Sequence, residues 1–228
     1  MIYVTGDTHG DYDFWKLVKF SDEHPELTKQ DYLIVAGDFG GVWEPSTLEI
    51  DLRPYQKLPF TVLFVDGNHE NFDMLDAYPV EIWKGGKVHF IKPDIIHLMR
   101  GQVFEIEGKR IFTFGGGTSI DKYMRVEGRS WWPQEIPTFA ELDEGMANLK
   151  RCDNTVDFII THSCDEKALW YPPLRSRTYK LDVYPENLLL SNFEDVVKYR
   201  HWYFGHYHMD GVLTDRKTVL YQNVVELQ

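Results

Sequence analysis

The sequence predicts an α/β protein in which two mixed β-sheets pack face to face as a double β-sandwich, with α-helices flanking them. Three observations carry this expectation. Short runs rich in β-branched and aromatic residues recur along the chain, at 2–5, 32–36, 60–65, 103–106, 111–114, 158–161 and 203–204. The first of these alternate with helical-looking stretches at 12–24, 45–57 and 72–77, whereas 87–116 and 211–227 read as hairpin-type β segments. A chain with both habits needs mixed sheets, and two packed sheets with helices outside bury both halves.

The elements are separated by short turn sequences, with no repeat, low-complexity tract or linker. The 228 residues are therefore expected to form one domain, residues 1–228. Only 118–150 and 170–184 read as irregular. No apolar run approaches the roughly 18–20 residues of a membrane span, so no membrane partner is expected. The passage from Met1 directly into Ile2-Tyr3-Val4 leaves no room for a leader, and a cytoplasmic location is the expectation. Cys152 and Cys164 lack the spacing of a zinc or redox pair and are expected to be buried reduced thiols. A formal charge of −12 disfavours a broad track for long nucleic acid. A compact anionic substrate is compatible with it, because bound cations would invert the local field in a cleft.

Chemistry is concentrated where the strand-like runs end. Gly6-Asp7-Thr8-His9-Gly10, Gly37-Asp38-Phe39-Gly40-Gly41, Gly67-Asn68-His69-Glu70, Thr161-His162-Ser163 and Gly205-His206-Tyr207-His208 each follow such a run. Five of the nine histidines fall in these clusters. His24, His89, His97 and His201 have no such context and read as structural. Asp7 and His9, two apart, place an oxygen and a nitrogen donor on the same side if the strand continues. Asp38, flanked by glycines, is the natural shared carboxylate, although Gly-Asp alone is an ordinary turn sequence. Glu70 reads as an acid at the start of a helix.

The donors sort into two sets that share one member: Asp7, His9, Asp38 and His208, and Asp38, Asn68, His162 and His206. A shared carboxylate is how a protein holds two cations about 3.5–4 Å apart, where they activate water and neutralise a phosphoryl group. The absence of thiolate suits two divalent or trivalent ions drawn from Mn, Fe, Zn or Ni. His69 is the expected general acid beside the leaving oxygen, and Asp38 the expected bridge between the ions.

These motifs, in this order, resemble those of the calcineurin-like metallophosphoesterase superfamily: D-x-H, G-D, G-N-H-(E/D), a lone H, and G-H-x-H. The resemblance runs from Asp7 to His208. It implies a double β-sandwich, a dinuclear metal centre with the ligands named above, and a catalytic role for His69. One departure narrows the substrate. After Gly37-Asp38 the chain reads Phe39-Gly40-Gly41, without the Asp-Arg that follows in serine/threonine protein phosphatases and dinucleoside-tetraphosphate hydrolases.

Phosphate contacts are therefore sought elsewhere. Arg125 and Arg129, next to Trp131-Trp132, are candidates for clamping a phosphate and stacking a base, unless the tryptophans simply pack that loop on the core. Arg175 and Arg177 are candidates from a second loop. The expected activity is hydrolysis of a small phosphodiester of nucleotide type. A phosphomonoesterase or protein phosphatase, a small nuclease, and a non-catalytic binding scaffold are the alternatives. The complete set of donors favours catalysis over the scaffold.

Overall fold

In the computed structural model, which describes residues 1–176 and 182–228, the chain begins as a parallel β-α-β-α-β unit. Strands β1 (Ile2–Thr5), β2 (Tyr32–Ala36) and β3 (Thr61–Val65) pair in parallel, joined by helices α1 (Trp15–Glu23) and α2 (Leu48–Gln56). A short helix α3 (Phe72–Leu75) leads into β4 (Val80–Trp83), β5 (Gly86–Lys92) and β6 (Ile95–Leu98). β6 lies parallel to β3, and β5 and β4 add antiparallel beyond it.

The chain then crosses to a second sheet. This is built from β7 (Gln102–Ile106), β8 (Lys109–Phe114), β9 (Phe158–Thr161), β10 (His201–Phe204), β11 (Gly211–Thr214) and β12 (Lys217–Val219). Helices α4 (Phe139–Lys150) and α5 (Pro185–Val196) connect its parallel strands, and β13 (Val224–Glu226) returns to the first sheet beside β1. The sheet orders are β13-β1-β2-β3-β6-β5-β4 and β11-β12-β10-β9-β8-β7 among the described residues.

Strand alternation divides the buried side chains between the two faces of each sheet. Ile2, Val4, Ile34 and Leu63 of the first sheet meet Phe104, Ile111, Phe158 and Ile160 of the second, forming the layer between them. The opposite face of the first sheet, with Tyr3, Leu33, Val35 and Phe64, packs on Leu17 and Phe20 of α1 and Leu52 and Tyr55 of α2. Phe112, Phe114, Ile159 and Trp202 of the second sheet pack on Leu142 and Leu149 of α4 and Leu190 and Phe193 of α5. The result is a four-layered α/β/β/α molecule. Each fully buried side chain of this size contributes about 1.5–3 kcal/mol relative to exposure.

Several sequence expectations are corrected. The segment 87–116 is antiparallel hairpin structure as expected, but it is divided between the sheets, β5 and β6 belonging to the first and β7 and β8 to the second, with the change of sheet at Met99–Gly101. The stretch 118–150 contains α4, which opens on a capping box between Thr138 and Glu141. α5 and the edge strand β4 are further elements not foreseen. Cys164 is buried, but Cys152 is only half-buried.

Candidate metal centre

The five motif loops meet because β1, β2 and β3 run parallel in one sheet, β9 and β10 run parallel in the other, and their carboxyl ends lie at one rim. Ligand sites collect at such ends, where loops emerge from a rigid framework. Backbone hydrogen bonds bind the loops to one another. The Thr8 and His9 amides donate to the Asp38 carbonyl at 3.1 and 2.8 Å, and Gly205 N donates to the His162 carbonyl at 2.9 Å. The His69 amide donates to Asp38 Oδ1 at 2.7 Å and the His206 amide to Asp7 Oδ1 at 2.9 Å.

His9, Asp38, His206 and His208 all have positive φ, at 46°, 46°, 66° and 46°. This is a sparsely populated region for side-chain-bearing residues, and strain of this kind persists only where surroundings over-determine it. Two glycines of the motifs make room for ligands from neighbouring strands. A Cβ at Gly37 would stand 2.0 Å from Nδ1 of His162, and one at Gly67 would stand 2.0 Å from Oδ1 of Asp38.

Asp7, His9, Asp38 and His208 each direct one donor atom into a cluster spanning no more than 4.8 Å. His9 Nδ1 lies 2.8 Å from Asp13 Oδ2, leaving Nε2 turned toward Asp38 Oδ2 at 3.3 Å. Beside them, His162 Nδ1 lies 2.9 Å from the Ala36 carbonyl, to which it donates. Its Nε2 lone pair then faces Asp38 Oδ1 at 3.3 Å, Asn68 Oδ1 at 3.1 Å and His206 Nδ1 at 3.1 Å. The Asn68 amide nitrogen is taken up by Ser119 Oγ at 3.2 Å, which fixes its oxygen toward His162.

Acceptors that face acceptors in a buried place are what a cation relieves. Asp7 Oδ2 is buried with no protein hydrogen bond of good geometry made to it, and His208 Nε2 stands 3.2 Å away. This orphaned oxygen, and a donor set of carboxylate, imidazole and amide oxygen, fit metal ions.

Electrostatics agree with that fit. Burial opposes charge on His162, but Asp38 and Asp7 outweigh it and push its pKa up to about 10. His9, against burial, rises to about 9 through Asp38 and Asp7. Burial and the neighbouring His162 push His206 down to about 3. The paired carboxylates draw in positive charge, which arriving metal ions supply in place of protons.

His69 lies beside the cluster, its ring 5.4 Å from that of His9. Burial lowers its pKa, and Arg125 adds to that while Asp38 opposes it. Arg125 reaches the site: its guanidinium touches both His69 ring nitrogens at 3.2 and 3.3 Å and is held by Asp121 at 2.7 and 2.9 Å. Arg129 is exposed and forms no hydrogen bond or ion pair with the cluster. Arg175 is exposed and stands over Trp170 at 5.9 Å. Arg177 lies outside the described residues.

The tryptophans of the neighbouring loop divide. Trp132 is buried, with Nε1 donating to Asp73 at 2.8 Å and its ring edge-on to Trp43, so it packs the loop. Trp131 is half-buried, 5.8 Å from the Lys122 amine.

The structure also supplies supporting residues that the sequence reading missed. Glu70 does not start a helix; its carboxylate accepts from Phe39 N at 2.7 Å and Gly40 N at 3.3 Å, bracing the Asp38 loop against the Asn68 loop. Buried Glu135 receives Ser119 N and Oγ at 3.0 and 2.7 Å and thereby steadies Asn68. Lys16, buried under β1, donates to the carbonyls of Gly6, Asp7 and Tyr221. Asp66, one residue before Gly67, is buried against Arg100 and His97. Glu135, Lys16 and Asp66, charged residues outside the motifs, carry no local signal of such roles.

The calcineurin-like phosphoesterase family model matches residues 1–210. The chain belongs to that family. Its four-layered fold is that of metallophosphoesterases. A lariat debranching enzyme of Schizosaccharomyces pombe is 26% identical over 155 residues, covering 60% of this chain and 32% of that protein. The chain thus spans about a third of the length of the curated relative it matches.

A solved Staphylococcus aureus structure described as a candidate 5′-nucleotidase superposes with a TM-score of 0.51 at 16% identity, covering 98% of this chain and 49% of that one. A phosphopantetheinyl hydrolase from Mycobacterium tuberculosis is 18% identical with a TM-score of 0.44, covering 96% of this chain and 87% of that one.

Proposed function

We propose that this phosphoesterase is a phosphodiesterase with a dinuclear metal centre, acting on a small nucleotide-type diester through a single domain of residues 1–228. The observation that carries the reading is the shared carboxylate: Asp38 Oδ2 faces His9 at 3.3 Å while Asp38 Oδ1 faces His162 at 3.3 Å. One ion would be held by Asp7, His9, Asp38 and His208, the other by Asp38, Asn68, His162 and His206. Bound ions of this kind, with Mn, Fe, Zn and Ni all suited to the donors, supply Lewis acidity toward a water and the phosphoryl oxygens.

The chain's own groups do the rest. Arg125 orients a phosphoryl oxygen, and His69 donates a hydrogen bond to the leaving oxygen and passes it a proton as the P–O bond breaks. An anionic ester entering beside Arg125 offsets the guanidinium charge that disfavours protonated His69. Among the described residues the site offers one guanidinium, already paired with Asp121, which suits a monoanionic diester better than a dianionic monoester. Similarity to a lariat debranching enzyme supports the same choice. A cytoplasmic setting accords with two free cysteines.

The deciding experiment compares bis(p-nitrophenyl) phosphate with p-nitrophenyl phosphate on protein stripped of metal and reloaded with Mn, Ni or Zn. Diester preference is expected, monoester preference would make it a phosphatase, and inactivity with every metal would revive a binding scaffold. Asp38→Ala is expected to lower bound metal from two ions toward none; two retained ions would refute the shared ligand.

A further inference from the structure

A cleft of about 770 Å³ opens directly from the metal centre, with His9, His69 and His208 on its wall. Its size matches a nucleoside, since small-molecule sites run to about 300–1,000 Å³. The surfaces beyond the histidines are of two kinds. Tyr12 and Trp43 offer aromatic faces, and Ile50 and Pro54 of α2 offer apolar ones. Tyr12 and Ile50 are 84% and 63% exposed, a large apolar area left open beside a reaction centre. Trp43 is held in place, its carbonyl accepting from Asn71 at 2.7 Å and its ring edge-on to Trp132 at 5.5 Å. The second kind is acidic: Asp11, Asp13 and Asp51 line the cleft, and among the described residues lining it there is neither lysine nor arginine.

Resting on the phosphodiesterase reading above, we infer that this cleft binds the leaving half of the substrate, and that this half is a nucleoside bearing no further phosphate. An aromatic face stacks a base whatever its sequence. Carboxylates accept hydrogen bonds from ribose hydroxyls, as the acidic residue of dinucleotide-binding folds does. The same carboxylates, with no lysine or arginine among the described lining residues, repel a second phosphate. His69 on the cleft wall stands where the departing oxygen emerges, so the reaction adds water across the ester: hydroxyl to phosphorus, proton to the nucleoside oxygen. The basic-aromatic loop at 118–132 is thereby relieved of base recognition, in keeping with buried Trp132.

The test uses the metal-loaded full chain and three substrates: bis(p-nitrophenyl) phosphate, the dinucleoside monophosphate ApA, and ApA carrying a terminal phosphate on the leaving nucleoside. ApA is expected to exceed its phosphorylated form in kcat/KM by about 10-fold, on the scale of charge and stacking contributions. Asp11→Asn with Asp51→Asn should narrow that gap. Tyr12→Ala and Trp43→Phe should each raise KM for ApA, and Tyr12 is exposed enough for its variant to fold. Calorimetric binding of adenosine should weaken in the same variants.

Equal rates on both dinucleotides, with an unchanged KM in Tyr12→Ala and Trp43→Phe, would overturn the inference while leaving bis(p-nitrophenyl) phosphate hydrolysis, and hence the phosphodiesterase reading, intact. Inactivity on all three substrates would overturn the phosphodiesterase reading, and with it the assignment of a leaving group; adenosine binding sensitive to Tyr12→Ala would then still establish the cleft as a nucleoside site.

Discussion

His69 and Arg125 form the contact at which the chemistry is most exposed to single substitutions. His69→Ala removes no proposed ligand, so bound metal should stay unchanged while kcat on a diester falls by about 10²–10⁴-fold, the usual range for a positioned acid. Wild-type turnover with full metal content would remove His69 from the mechanism. Stability is most sensitive behind β3. Burial opposes the charge of Asp66, yet Arg100 and His97 outweigh it and hold the carboxyl well below its ordinary range. Asp66→Ala leaves buried Arg100 with only Glu141 and the Gln134 carbonyl as partners and should cost about 3 kcal/mol in urea unfolding.

His89, on the same network, is pushed down to about 4 by burial and then by His97. The unfolded chain takes up a proton near pH 6.5 that the folded chain refuses until about 4, so stability should fall as pH drops through that window, by up to about 3 kcal/mol. His89→Phe should flatten the decline, as followed by urea midpoints across pH 4–6.5; an unchanged slope would show that His89 is not its source.

Elements, not residues, explain why the ligands share one rim, and here the sequence was only partly readable. β1, β2, β3, β9 and β10 were legible as apolar runs ending in short polar motifs, since a continuously buried strand and its loop chemistry are both local. α4 and α5 were not. α4 buries little more than Leu142, Gly145 and Leu149, with Gly145 seated against Gly101, a stripe too thin to stand out in FAELDEGMANLK. Its start is nevertheless well capped, and Thr138→Ala should lower stability by about 1 kcal/mol in thermal unfolding. Where elements meet, space decides. A methyl at Gly67 would collide with Asp38 Oδ1 and the Asp38 amide, 2.0 and 2.3 Å away. Gly67→Ala should therefore shed metal while far-UV circular dichroism stays native; full metal content would show that the β2 and β3 loops can part without loss.

At the scale of the whole molecule, two sheets are tied together through one cluster, so occupancy of that cluster should stabilise all of it. A metal ion at 100 times its Kd adds about 2.7 kcal/mol to folding, and the melting temperature should rise with added Mn or Zn in the native protein but not in Asp38→Ala. By itself the sequence determined the fold class, the family and the residue types of the candidate metal cluster. These follow from periodicities and motifs that are contiguous in the chain.

Other features were decided only by tertiary structure. The assignment of β5–β6 and β7–β8 to different sheets depends on strand pairings far apart in sequence. So do the reach of Arg125, but not Arg129 or Arg175, to the site, and the second roles of Glu70, Glu135 and Lys16. The aromatic and acidic cleft unites residues of the β1–α1 loop, the loop before α2, and α2 itself, a surface that exists only once those elements pack beside the metal centre.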